Sequence, residues 1–525
     1  MRLLAASSSA LALCLATGAL LAQPAPAPPS PWHTAPAGGW APAPVLPPNW
    51  RATAPASPVP SAAPQAPLAP APVMAPAPIA APVAAPTSSP AITVSLPFTT
   101  YTLPNGLEVI LHEDHRTPIV TVNLWYHVGS KDEPAGRNGF AHLFEHLMFQ
   151  GSRHVGEDLF FKYLERAGAS DRNGTTNQDR TNYFETVPSN QLELALWLES
   201  DRMAFLLDHV DQATLDSQRD VVKNERRQNY ENAPYGLVPQ FVHEALYPPG
   251  HPYRNLTIGT PADLDAATLD DVRAFFRTFY VPNDATLVVA GDFDPGRTRQ
   301  LVEQYFAPIL RGAPAPVKTQ PWPVSPEREV RLKVAANVEL PRVVVTWPSP
   351  PAFAPGDQEL DVLAQVLSSG KSSRLEKRLV YDMQIAQSVS VSQQSAQLGS
   401  QFDIVVTLQK GKSPDDALAA IDAEVAQLRS APVGEHELVR SRAGLVADQV
   451  FRNERVGARA AGLNWCRQLA GDPACTEKAV ARYQAVTPAE LQATALSVLA
   501  PERRVVAIIV PDASAPRAGR LTEVK

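Results

Sequence analysis

Thr99 to Leu103 and Leu107 to His112 alternate apolar and polar residues around Pro104-Asn105-Gly106. That is the pattern of two strands joined by a tight turn. Ile119 to Val128 reads as a third strand. The period then changes to that of a helix. Helices are expected over Gly139 to Phe149, about Leu159 to Ala167, Gln191 to Leu207, Ala213 to Tyr230 and Leu269 to Phe279. The apolar run Ala285 to Gly291 reads as a strand closing the unit.

The order then starts again. Between Gly312 and Pro326, prolines at 314, 316, 321, 323 and 326 mark an interdomain linker. Strands, helices and a last strand follow it. Thr268-Leu-Asp-Asp opens one helix with a Thr-x-x-acid cap, and Thr487-Pro-Ala-Glu repeats the cap 219 residues later. Pro282 and Pro501 terminate those helices at the same spacing, and Val288-Val289 and Val505-Val506 lead apolar strands after them. Two units built alike are the simplest source of such a repeat. The expected fold is α+β, with two homologous domains, each an antiparallel-rich sheet flanked by helices. The first spans residues 95–312, the linker 313–327 and the second 328–520.

The first 94 residues differ in kind. Arg2 followed by an apolar stretch from Leu11 to Ala22 reads as a signal peptide over residues 1–22. Leu13 before Cys14 argues against a lipid-attachment site. Residues 23–94 form an Ala/Pro spacer, with 22 of the 53 prolines between Gln23 and Pro90. Such a tract favours extended polyproline II over a packed core. Without the leader, Cys466 and Cys475 are the remaining cysteines. In an exported chain, periplasmic or secreted, they are expected to close a local disulfide. The net charge of -7 leaves no basic stripe for nucleic acid. No apolar stretch after residue 22 is long enough to span a bilayer.

The chemistry concentrates in His142-Leu-Phe-Glu145-His146. Histidines four apart on a helix lie on one face, one turn above the other, the spacing two imidazoles need to share a zinc ion. Glu145 projects towards the same ion, in the inverted order of the inverzincin motif. A hydrolytic zinc takes a third protein ligand and leaves one position for water. Glu225, in the amphipathic segment Arg219 to Arg226, is a candidate for that ligand. Glu185, Glu199, Glu231 and His243 are the alternatives that the residues alone leave open. A water acidified by zinc, with Glu145 as general base, predicts amide hydrolysis without an acyl-enzyme. No Gly-rich phosphate loop or Gly-x-Ser-x-Gly elbow competes.

The segment Gly139 to Gly151 resembles the active-site helix of the pitrilysin/insulinase family of zinc peptidases. Asn173-Gly-Thr-Thr176 with Asp179-Arg-Thr181-Asn-Tyr183-Phe is similar to that family's edge-strand segment, and Arg219 to Arg227 to the helix bearing its distal glutamate ligand. His251-Pro-Tyr-Arg254, Tyr280-Val-Pro-Asn283 and Leu367 to Leu375 extend the likeness to about residues 95–515. The resemblance implies His142, His146 and Glu225 as ligands of one zinc per chain, and Glu145 as catalytic base. It implies that Asn173, Gly174, Thr175 and Thr176 line the strand to which a peptide adds.

Two departures accompany it. Gln218 stands where many active members carry a glutamate seven residues before the distal ligand. The Arg/Tyr pair that such members place over the substrate carbonyl is missing from Phe402 to Leu408. Arg374 and Tyr381 fall on the preceding helix instead. Four units close the chamber in that family, and this chain has two. A dimer is therefore expected, either with a related metal-free subunit or as a homodimer. The expected function is a secreted or periplasmic zinc metalloendopeptidase acting on peptides or unfolded segments. The alternative is a non-catalytic or partner-dependent subunit of a heterodimeric complex.

Overall fold

The computed structural model describes residues 92–316 and 326–525. The expected leader, all but the end of the spacer, and most of the linker lie outside the described residues.

The first sheet contains β1 (Thr99–Thr102), β2 (Glu108–Glu113), β3 (Ile119–Tyr126), β4 (Ser170–Thr176), β5 (Thr181–Pro188) and β6 (Ala285–Gly291), in the order β1-β2-β6-β3-β5-β4. The second contains β7 (Val330–Ala336), β8 (Arg342–Ser349), β9 (Ala386–Gln394), β10 (Ser400–Leu408), β11 (Val505–Pro511) and β12 (Arg520–Val524), in the order β12-β7-β11-β8-β10-β9. In each sheet one central pair is parallel, β2/β6 and β7/β11, and the other pairs are antiparallel. The α+β fold of two like sheets is therefore present. One outer strand breaks the likeness: β1 precedes its sheet in sequence, whereas β12 ends the chain.

The helices of the first half are α1 (Phe140–Leu147), α2 (Leu159–Arg166), α3 (Leu192–Phe205), α4 (Gln212–Arg226), α5 (Val238–Leu246), α6 (Pro261–Asp265), α7 (Leu269–Phe279) and α8 (Pro295–Phe306). Those of the second are α9 (Asp357–Ser368), α10 (Pro414–Ser430), α11 (Glu435–Arg452), α12 (Val456–Ala470), α13 (Cys475–Ala485) and α14 (Pro488–Val498). Thr268 and Thr487 each form a complete capping box, at the starts of α7 and α14. The helix expected over Ala213 to Tyr230 is α-helical only to Arg226 and continues as a π turn, Arg227–Glu231. Periodicity did not announce β4, β5, α5, α6 or α8. The residues of β4, SDRNGTT, have no apolar alternation, and Pro239 and Pro295-Gly296 at the starts of α5 and α8 read as loop signals.

Each sheet is covered on one face by its own helices and on the other by a helix of the opposite half. Val456, Ala460 and Leu463 of α12 pack with Ile110, Val288 and Ala290 of the first sheet and with Leu96. In return, Val238, Val242 and Leu246 of α5 pack with Leu332, Val334, Val505, Ala507 and Ile509 of the second. This exchange explains why β6 is apolar at nearly every position. Leu287 and Val289 join the core of the first half while Val288 and Ala290 meet α12. Polar bonds fix the seam: Arg467 pairs with Glu108, Arg459 with Asp114, and Asn464 Nδ2 donates to Asn123 O at 3.0 Å. A Cys466–Cys475 disulfide joins α12 to α13.

Candidate metal centre

Phe140, Ala141, Leu143, Phe144 and Leu147 bury the apolar side of α1 in the first core. His142, Glu145 and His146 are thereby left on the side facing α4 and β4. The N-terminus of α1 has no side-chain cap of its own. The Glu133 carboxylate takes that place, accepting Gly139 N at 3.0 Å and Ala141 N at 2.9 Å. A negative group there also suits the positive end of the helix. Gly259 lets a second loop close over the same end: a Cβ on it would come within 2.4 Å of Gly139 Cα.

From α4, Glu225 Oε2 lies 3.4 Å from His146 Nε2 and 3.7 Å from His142 Nε2. Ligand atoms bound tetrahedrally at 2.0–2.1 Å sit roughly 3.3–3.4 Å apart. Two imidazoles and one carboxylate at these separations therefore fit a zinc ion, with a fourth position left over. Among the described residues this trio is the one group of three or more His, Cys, Asp or Glu placed to hold a metal. The π turn after α4 sets Asn229, whose Nδ2 donates to Glu225 Oε1 at 3.3 Å. Such turns recur at functional sites.

The electrostatics follow from burial. The His142 imidazole is drawn down to about 4 by burial and by the neighbouring His146, against the pull of Glu225. Burial alone would raise Glu225, but the bond from His146 and the two imidazole charges hold it below the usual carboxylate range. Burial pushes Glu145 up, opposed by the Thr176 hydroxyl, which donates to Glu145 Oε2 at 2.6 Å.

The four residues expected on the edge strand divide by alternation. Gly174 and Thr176 face Glu145. A Cβ on Gly174 would lie 3.0 Å from Glu145 Cγ and 3.0 Å from Phe149 Cε2, so the strand approaches the helix as closely as glycine allows. Asn173, which is exposed, and Thr175 face the other way. Thr175 donates to Asn182 Oδ1 at 2.6 Å, and its carbonyl accepts Arg180 Nη1 at 2.7 Å. The Arg180 guanidinium lies over the Trp125 ring, and burial draws it down to about 10.

The structure does not bring the alternative third ligands to the histidines. Glu185 and Glu199 are fully buried in the first core, where Glu199 pairs with Arg202. Glu231 pairs with Arg226, and His243 packs edge-on to Tyr247 within α5. Gln218 is buried on α4, two turns before Glu225. Arg374 is held by Glu437 and Tyr381 is exposed. β10 contains neither Arg nor Tyr. Glu133 and Arg180 were missed from sequence. Glu133 reads as one acid in a polar loop, and only the folding of that loop onto α1 reveals it.

The description "Insulinase (Peptidase family M16)" matches residues 108–260, and "Peptidase M16 inactive domain" matches 266–445. The metal trio falls entirely within the first match. The zinc protease PqqE of Helicobacter pylori is 29% identical over 381 residues, 68% of this chain and 84% of that protein. A crystal structure of a protease from Helicobacter pylori superposes with a TM-score of 0.75 at 24% identity, covering 79% of this chain and 100% of that one. The periplasmic protease PqqL of Escherichia coli superposes with a TM-score of 0.67 at 18% identity, over 80% of this chain but 48% of that one. Its first half alone is covered to 94%. With both matched segments and the zinc-protease relatives, the chain belongs to the M16, or pitrilysin/insulinase, family of zinc metallopeptidases and carries one two-domain half of that fold.

Proposed function

We propose that the chain is an exported zinc metalloendopeptidase that hydrolyses peptides or unfolded segments. The observation that carries this reading is the convergence of His142, His146 and Glu225 beside a carboxylate, Glu145, that none of them engages. His142, His146 and Glu225 would hold one zinc, which would supply Lewis acidity for the scissile carbonyl and acidify a water to a pKa of about 7. Glu145 takes the proton of the attacking water and passes it to the leaving amine. The Thr176 hydroxyl engages Oε2 and leaves Oε1 to take the proton.

Edge geometry supports an extended substrate. Asn177 N donates to Arg180 O at 3.0 Å. The pairs Thr175–Asn182 and Asn173–Phe184 then exchange the ladder bonds, and Gly174 and Thr176 turn their backbone groups to the open side of β4. A peptide adding there as a strand places its main chain beside Glu145 with little demand on its sequence. Export rests on Arg2 and the apolar stretch to Ala22. Among the described residues no helix is long and apolar enough to cross a membrane. The whole length of PqqL, of which this chain matches half, supports pairing with a second such unit, a like chain or a metal-free relative.

The test is cleavage of a quenched peptide library by the purified zinc-loaded chain. Glu145→Gln should lower the rate by about 10²–10⁴-fold. Absence of cleavage by a folded, zinc-loaded chain would favour the second reading, a partner-dependent or non-catalytic subunit. The observations behind that reading are a β10 without Arg or Tyr, and Gln218 in α4.

A further inference from the structure

The tip of the β4–β5 hairpin is fastened by the second half. Asp179, at that tip, is 3% exposed. Its Oδ1 accepts the Tyr253 hydroxyl at 2.5 Å, and its Oδ2 accepts Gln397 N at 2.9 Å. The Tyr253 oxygen in turn accepts Leu398 N at 2.9 Å. Gln397 and Leu398 form the turn between β9 and β10. From α12, Gln468 Nε2 donates to the Asp179 carbonyl at 2.7 Å, beside Lys131 Nζ at 2.9 Å. Three donors of the second half therefore converge on Asp179 and on the tyrosine that touches it.

The tip leads directly to the base. Arg180, the next residue, clamps the Thr175 carbonyl, and Thr176 holds Glu145. The first half also holds the hairpin, through Ser130 N to Asn177 O at 3.1 Å, Lys131 N to Gln178 O at 3.0 Å and the pairing with β5, but the outer edge of β4 is open. β4 is the outer strand of its sheet, its residues are polar, and its pairing is irregular between Ser170 and Asn173, with Asp171 at φ +48°. Strands with few apolar contacts open locally at low cost.

We propose that Asp179 and Tyr253 form a latch through which the second half sets the position of β4, and with it the Thr176–Glu145 bond. Both act as positioning residues. The assignment rests on the peptidase reading for its kinetic consequence, but not for its structural one. It gives the half without a metal trio a task in the chemistry beyond walling the substrate.

The experiment compares Tyr253→Phe, Gln468→Ala and Arg467→Ala with the full-length parent. Arg467, the neighbour of Gln468 on α12, pairs with Glu108 of β2 and makes no bond to the hairpin tip, so it serves as a control for general loosening of α12. Hydrogen exchange of the 170–181 segment, read by mass spectrometry on the metal-free protein, should quicken in Tyr253→Phe and Gln468→Ala and stay unchanged in Arg467→Ala. With zinc, Tyr253→Phe should lower kcat by about 10–100-fold, with KM and zinc stoichiometry unchanged. Parental exchange of 170–181 in both latch variants would overturn the latch, as would an unchanged kcat in a Tyr253→Phe protein whose parent cleaves. A parent that cleaves nothing would favour the partner-dependent or non-catalytic reading and leave the exchange measurement to judge the latch.

Discussion

The two halves share strand order and helix succession, yet they do different things at the same crossing. In the first, α1 faces α4 with His142 and His146 opposite Glu225. In the second, α9 faces α11, and Gln365 Oε1 comes within 3.4 Å of where a Cβ on Gly444 would sit. The acids of α9 are all engaged. Asp357 accepts from Phe353 N, Gln393 and Ser395; Glu359 caps the helix and pairs with Arg482; Asp361 accepts the Tyr483 hydroxyl at 2.6 Å. One crossing brings two imidazoles and the Glu225 carboxylate to one point, where they can share a metal. The other engages all three acids of α9 and has no histidine on that helix. The architecture supplies a place, and side chains decide whether chemistry occurs there.

The sharpest way to break this contrast is to remove a ligand. Glu225→Gln should weaken zinc binding by more than about 100-fold, the upper end of what loss of an outer-shell partner costs. Asp361→Asn, in the second crossing, should leave zinc content unchanged. Metal analysis after dialysis against a graded chelator reads both. Zinc retained by Glu225→Gln would refute the trio.

The next effect concerns what the halves share. Leu463 is fully buried between α12 and the first sheet. Leu463→Ala should cost about 2–5 kcal/mol. Because the lost contact belongs to both halves, denaturant unfolding should remain a single transition. Two separated transitions would show that the halves are independent.

The smallest effect depends on pH. Burial pushes Asp361 up to about 7, from an unfolded value of 3.8. Stability from the protonated acid is therefore complete below about pH 4 and is lost as pH rises through 7. Asp361→Asn cannot ionise. It should match the parent near pH 4 and exceed it by roughly 1–3 kcal/mol at pH 8. Melting temperatures across that range measure the difference. A constant offset would mean that the carboxyl titrates normally.

Sequence alone exposed those parts of the molecule in which one residue's type reports its own environment. His142 and His146 announce a shared face by spacing. Thr268 and Thr487 announce helix starts by their caps. Ala285 to Gly291 announces a buried strand by a run that is apolar at all but Thr286. Glu225 was different, because nothing local separates it from Glu185 or Glu199. Glu185 and Glu199 are excluded by lying deep in the core around Arg202, a three-dimensional fact. Gly174 was legible as part of an edge strand, but its need to be glycine comes from Glu145 and Phe149, distant in sequence. Glu133, Asp179 and Tyr253 acquire meaning only from backbone groups they meet after folding, and backbone groups leave no mark in composition.

The exchange of α5 and α12 has a consequence for biosynthesis. When α5 leaves the ribosome, the sheet face it covers has not been made. The matching face of β6 waits for α12, roughly 170 residues later. At 5–20 residues per second that interval is about 9–34 s. During it, the nascent first half presents an uncovered apolar sheet face and an unpaired amphipathic helix. Such surfaces are what holding chaperones bind, so this chain should depend on them more while it is being made than at any later time.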